Sequence, residues 1–162
     1  MNLDLILEKL QIKALNQMQE STIEASEKQN EIILLSPTGS GKTLVFLLPI
    51  VKNLDKSAGG IQALIIVPAR ELALQIETVF KSMGTDFKVS VCYGGHDKKI
   101  EINNFTEAPA VLIGTPGRIA YHLKNDNFDP LNIKTLVLDE FDKALEFGFT
   151  EDMSFIISEL EN

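Results

Sequence analysis

Ser36-Pro37-Thr38-Gly39-Ser40-Gly41-Lys42-Thr43 stands between two apolar runs, Ile32-Ile33-Leu34-Leu35 before it and Leu44-Val45-Phe46-Leu47-Leu48 after it. A strand that turns on glycines into a helix, with Lys-Thr at the helix start, has the layout of a phosphate-binding loop. Gly39 and Gly41 have no Cβ, so their N–H groups can close around phosphate oxygens without steric cost. From there Lys42 would reach the β- and γ-phosphates of a nucleotide, and the Thr43 hydroxyl would complete the shell of a magnesium ion. The strict pattern has Gly where Ser36 stands. The competing reading is a Gly-rich turn ahead of a buried helix.

Around this loop the chain alternates. Five short runs rich in Val and Ile (Ile32–Leu35, Ala63–Val67, Val89–Tyr93, Val111–Gly114 and Leu136–Asp139) read as strands buried on both faces of a parallel sheet. Helices are expected at residues 3–10, Asn16–Lys28, Lys42–Leu54, Arg70–Met83, Lys98–Phe105 with Asp97 as N-cap, Pro116–Lys124 and Glu151–Leu160. Pro49 should kink or shorten its helix near Leu48. Alternation of this kind means an α/β fold, in which ligands sit at the carboxyl ends of the strands.

The 162 residues make one domain or a piece of a larger protein, and 44% are apolar, enough for a core. No apolar run is long enough to span a membrane and no secretory signal opens the chain, so a cytoplasmic setting is expected. The single cysteine, Cys92, reads as a small buried hydrophobe. His96 and His122 have no metal-ligand spacing. The net charge of −8 weighs against a stand-alone nucleic-acid binder but leaves room for backbone amides and a few arginines.

Four further stretches end strands. Asp139 and Glu140 close the fifth: Asp139 can hold magnesium, directly or through water, and Glu140 can orient and deprotonate an attacking water. Strand ends are also acidic merely because they meet solvent. Pro68-Ala69-Arg70-Glu71 follows the second strand and Thr115-Pro116-Gly117-Arg118 the fourth, each opening a helix with amides and an arginine on the same edge. Such a helix start can hold a phosphate chain, or can be an ordinary capped helix. Tyr93-Gly94-Gly95 follows the third strand, where a nucleic-acid strand could approach the backbone closely.

Taken in order, Pro-Thr-Gly-Ser-Gly-Lys-Thr, Pro-Ala-Arg-Glu-Leu-Ala, Tyr-Gly-Gly, Thr-Pro-Gly-Arg and Asp-Glu-Phe-Asp make the chain resemble the first RecA-like domain of a DEAD-box ATP-dependent RNA helicase, from about Ile12 to Gly148. The resemblance implies a three-layer RecA-like P-loop NTPase fold with a mainly parallel sheet flanked by helices. It implies one helicase ATP-binding domain over residues 1–162, the first of two, in a monomer with no membrane partner. ATP would be held by Ser36 to Thr43, with Gln19 reading adenine and Ile12 at the position of the family's stacking aromatic. Mg2+ would be held by Thr43 and Asp139, partly through water, and Lys42, Asp139 and Glu140 would support hydrolysis. Single-stranded RNA or a short duplex would be touched along its backbone by Pro68, Ala69, Arg70, Glu71, Gly94, Gly95, Thr115, Pro116, Gly117 and Arg118. Asp142 would couple to the second RecA-like domain.

Departures from the family pattern carry expectations of their own. Ile12 offers apolar contact without π-stacking. Phe141, in place of the eponymous Ala, needs room beside the γ-phosphate pocket or costs about 1–3 kcal/mol. The chain ends before the family's Ser-Ala-Thr motif and its arginine fingers, which suggests an excised piece with little turnover alone. Two other classes remain open: a DNA-directed superfamily-2 helicase domain, and a non-catalytic interaction domain that keeps the loop.

Overall fold

Four short strands pair in parallel in the order β2-β3-β1-β4: β1 (Ala63–Ile66), β2 (Val89–Cys92), β3 (Val111–Gly114) and β4 (Thr135–Leu138). Their registers align Ile66 with Gly114 and Leu138, and Cys92 with Gly114, so all four strands end on one edge. This computed structural model describes residues 2–37 and 39–160. The chain divides into two compact units, a smaller one of residues 1–54 and 79–85 and a larger one of residues 55–78 and 86–162.

The larger unit holds the sheet. The central strands β1 and β3 are buried throughout, as continuous apolar runs require. The outer strands depart from expectation: β2 alternates between buried and half-buried positions and β4 is half-buried along its length, because each pairs on one side only. On one face Leu64, Ile66, Cys92 and Leu112 pack with Phe105 of α5 (Lys98–Thr106), Ile119 and Leu123 of α6 (Pro116–Lys124) and Ile156 of α8 (Thr150–Leu160). Asp97 caps α5 by accepting from Lys99 N, and Pro116 occupies the first turn of α6. Burial pushes the Cys92 thiol up, as suits an unreactive core residue.

The smaller unit packs α2 (Gln17–Ser26) against α3 (Lys42–Asn53), with α1 (Leu3–Lys9) ahead of them. Leu44, Val45, Leu47, Leu48, Ile50 and Val51 of α3 are buried. That helix runs on past Pro49, so the expected shortening at Leu48 does not occur. The proline forfeits one intrahelical bond, while Leu54 N still closes on Ile50 O at 3.0 Å. The run Ile32–Leu35 is no strand. It forms no ladder, and Ile33 and Leu35 are 84% and 88% exposed. α4 (Arg70–Ser82) divides between the two units. A short helix not foreseen, α7 (Phe141–Glu146), follows β4 directly.

Candidate functional site

In the smaller unit the glycine loop is built as its composition demands. Gly39 and Gly41 take φ of +82° and +86°, the left-handed region that L side chains resist. Gly41 is the N-cap residue of α3 and makes no side-chain cap, so no side chain of its own covers the first amides of the helix. The Lys42 ammonium donates to Ser36 O at 3.2 Å, and the Ser36 and Ser40 hydroxyls meet at 3.0 Å. Ser36, the departure from the strict motif, thus staples the two ends of the loop. Thr38 lies outside the described residues.

A second clamp comes from the start of α2. Asn16 and Gln19 form a reciprocal capping box, Gln19 N donating to Asn16 Oδ1 and Asn16 N to Gln19 Oε1, both at 2.9 Å. Their amide nitrogens then reach the loop: Asn16 Nδ2 donates to Ser40 O and Gln19 Nε2 to Gly41 O, both at 3.2 Å. Gln19 is only 6% exposed, and its amide keeps one N–H and one lone pair beyond these bonds. Ile12 is half-buried. Asn16 is not among the expected site residues, although Asn-x-x-Gln has the spacing of a capping box.

In the larger unit every expected stretch leaves the carboxyl edge of the sheet. Val67 N bonds Gly114 O, Thr115 N bonds Cys92 O and Asp139 N bonds Ile66 O, at 3.0 to 3.1 Å, extending the ladders past the strand ends. Arg70 and Glu71 are exposed at the start of α4, while Pro68 is buried and Ala69 half-buried. The Arg70 guanidinium lies over the Tyr93 ring, 5.3 Å from its centroid. Gly94 and Gly95 are exposed, with Gly95 at φ +86° and open space where a Cβ would sit. Thr115 and Pro116 are buried and Gly117 half-buried, tucked against Phe149 and Asp152.

Asp139 is half-buried at the end of β4. Glu140 adopts φ +50°, ψ +42°, a conformation uncommon for a residue with a side chain. Its carboxylate accepts from Lys143 Nζ at 2.8 Å. Phe141 and Asp142, which open α7, are both exposed. Phe141 is 45% exposed, so its side chain is not enclosed by its neighbours.

Between these stretches lies a polar cluster the sequence did not announce. The Glu101 side chain is fully buried, and each of its oxygens receives two donors. Oε1 accepts from Tyr93 N at 3.1 Å and pairs with His96 Nδ1 at 2.9 Å. Oε2 accepts from Arg118 Nη1 at 3.0 Å and pairs with His122 Nε2 at 2.6 Å. Asn127 Nδ2 faces His122 Nδ1 at 3.0 Å, which assigns the imidazole proton to Nε2 and aims it at the carboxylate. Burial alone would raise the Glu101 carboxyl, but the bonds from His122, His96, Tyr93 N and Arg118 outweigh it and hold the group below its ordinary value. The Arg118 side chain is only 9% exposed, so its charge faces inward. Both histidines of the chain thus converge on one carboxylate. The available signal was the i, i+4 spacing of Arg118 and His122 on α6.

A parallel four-stranded sheet with its motif loops on one edge makes this an α/β domain, and its structural match makes it RecA-like. Among solved structures the chain matches that of the yeast DEAD-box splicing factor Prp28 with a TM-score of 0.89 and 31% identity, over 98% of this chain and 39% of that one. The chain belongs to the DEAD/DEAH box helicase family, whose profile matches residues 16–162. It is 42% identical over 144 residues to the ATP-dependent RNA helicase CshA of Limosilactobacillus reuteri, covering 88% of this chain and 29% of that protein. It is 40% identical over 145 residues to the DEAD-box ATP-dependent RNA helicase RhpA of Helicobacter pylori (strain B128), covering 88% and 29%. The chain thus spans under a third of the length of these two relatives.

Proposed function

We propose that this chain is the nucleotide-binding half of an ATP-dependent RNA helicase, the first of two RecA-like halves. In the full-length protein it takes part in RNA-dependent ATP hydrolysis coupled to local opening of short duplexes. The observation that carries this reading is the common edge on which Pro68–Glu71, Tyr93–Gly95, Thr115–Arg118 and Asp139–Glu140 emerge. The names of the relatives, each about three times longer, support it.

The role of each residue follows from its chemistry. The loop amides at Gly39–Thr43 and the Lys42 ammonium bind the ATP phosphates, the ammonium leaving Ser36 O for a stronger charged acceptor. Gln19 uses its remaining donor and acceptor for adenine. A magnesium ion, if bound, would supply positive charge against the charge that develops on the phosphates. Such an ion would take one or two protein oxygens beside phosphate and water. The Thr43 hydroxyl and the Asp139 carboxylate each offer one. Glu140 positions the attacking water. Amides of the strand-end loops, rather than a basic surface, track the RNA backbone.

Calorimetric titration of ATP–Mg2+ into the chain and into Lys42→Ala tests the reading. Loss of a charged hydrogen bond to phosphate should lower affinity ten- to a hundredfold, about 1.5–3 kcal/mol. Equal affinities would exclude use of the loop. Turnover by this chain alone should be negligible, since an arginine finger supplied from outside contributes about 10³–10⁵ in rate. In the full-length protein, stimulation by RNA and not by DNA of the same sequence separates this reading from a DNA-directed helicase.

A further inference from the structure

The proposed RNA surface is made of loops from different strand ends, and amides on separate loops grip one backbone only if their spacing is held. The cluster described above supplies that connection within the larger unit. Tyr93 is contacted from three sides: Arg70 lies over its ring, His96 stacks on it with centroids 5.0 Å apart, and its N–H donates to Glu101. Glu101 in turn holds His96 through one oxygen, and Arg118 and His122 through the other. One carboxylate therefore joins the Gly94-Gly95 turn to the first two turns of α6, and through Tyr93 it reaches the start of α4. Nothing in the nucleotide chemistry uses it.

We propose that Glu101 is a positioning residue for RNA: it locks the Tyr93–His96 turn and the Thr115–Arg118 helix start into one surface and keeps the Arg118 charge inside the protein. This rests on the functional reading above and deepens it. A consequence is that Arg118 supports the surface from behind, while Arg70 and the exposed amides of Gly94 and Gly95 meet the phosphates. The proposal needs the carboxylate itself. A glutamine of the same shape would offer one acceptor oxygen where two are used, and would turn an N–H toward donors.

The test uses the whole chain and Glu101→Gln, with Glu101→Asp as the conservative variant. Two readouts are taken: affinity for a fluorescent single-stranded oligouridine RNA, and amide hydrogen exchange of residues 93–96 and 117–119. Expected for Glu101→Gln is exchange at least tenfold faster in both stretches together, with RNA affinity lower by tenfold or more, while residues of α2 and α3 are unchanged. Glu101→Asp should recover part of both effects. Unchanged exchange, acceleration of one stretch alone, or full RNA affinity despite faster exchange in both would overturn the proposal. If the unaltered chain fails to bind RNA while both stretches loosen together, the coupling stands and the RNA assignment falls. Should Glu101→Gln not fold, His122→Phe and His96→Phe each remove one pairing, and each should loosen its own stretch and lower RNA affinity; two silent variants would sink the idea.

Discussion

Gln19 shows how much one amide can hold. It closes the capping box of α2 and also bonds the carbonyl of Gly41, where a Cβ would sit 2.6 Å from Gln19 Nε2. Gln19→Ala leaves Asn16 N and Gly41 O without this partner, so we expect urea denaturation to report a loss of about 1–2 kcal/mol. Nucleotide affinity should fall with it, because the loop loses a support. Glu101 gives the second prediction at this scale. Its carboxyl lies below the ordinary 4.5, so its contribution to stability is complete above that pH and is lost as pH falls through the lower folded value. Acid titration of Glu101→Gln should lack this part of the transition, and a curve parallel to that of the unaltered chain would contradict it. Gln19 was legible because it falls in a recognisable stretch, whereas Glu101 was not: nothing local marks an acid on a helix as buried, and its partners lie up to 21 residues away.

Among the elements, the β3–α6 connection leaves no room at Gly114. A Cβ on Gly114 would lie 2.5 Å from Cys92 O, 2.6 Å from Cys92 Sγ and 2.9 Å from Ile119 Cγ1. The first of these is backbone of the neighbouring strand and cannot move aside. Gly114→Ala should therefore cost about 3 kcal/mol, the upper end for overpacking, read from denaturant midpoints. Gly94→Ala, with open space around it, should stay within about 0.5 kcal/mol. Elements with a cap or a buried apolar run were readable: α6 matches at both ends, and β3 likewise. The misses have physical causes. Ile32–Leu35 has the composition of a strand, but composition does not supply a pairing partner. Pro49 marks a lost hydrogen bond, which buried neighbours along α3 offset. α7 was hidden because its start is a left-handed Glu140, where a glycine would have been the usual sign.

For the molecule as a whole, charge sets how RNA can be held. The chain carries 15 basic and 23 acidic residues, so no excess of cations draws a phosphate chain to it from a distance. Within the strand-end stretches Arg70 is exposed, whereas Arg118 is matched by Glu101. Amides hold phosphate without displacing its counterions in the way a lysine or arginine does. The slope of log affinity against log salt is about −0.7 for each phosphate neutralised on a single strand, so one to three such contacts give about −0.7 to −2. Raising salt from 50 to 200 mM should then weaken oligouridine binding by only about 3- to 16-fold. Arg70→Ala should flatten the slope by about 0.7 and lower affinity similarly for every base sequence, since a backbone contact carries no sequence information. A slope of about −5 or steeper would mean that a basic surface does the holding, and the amide-led grip inferred from the sheet edge would have to be abandoned.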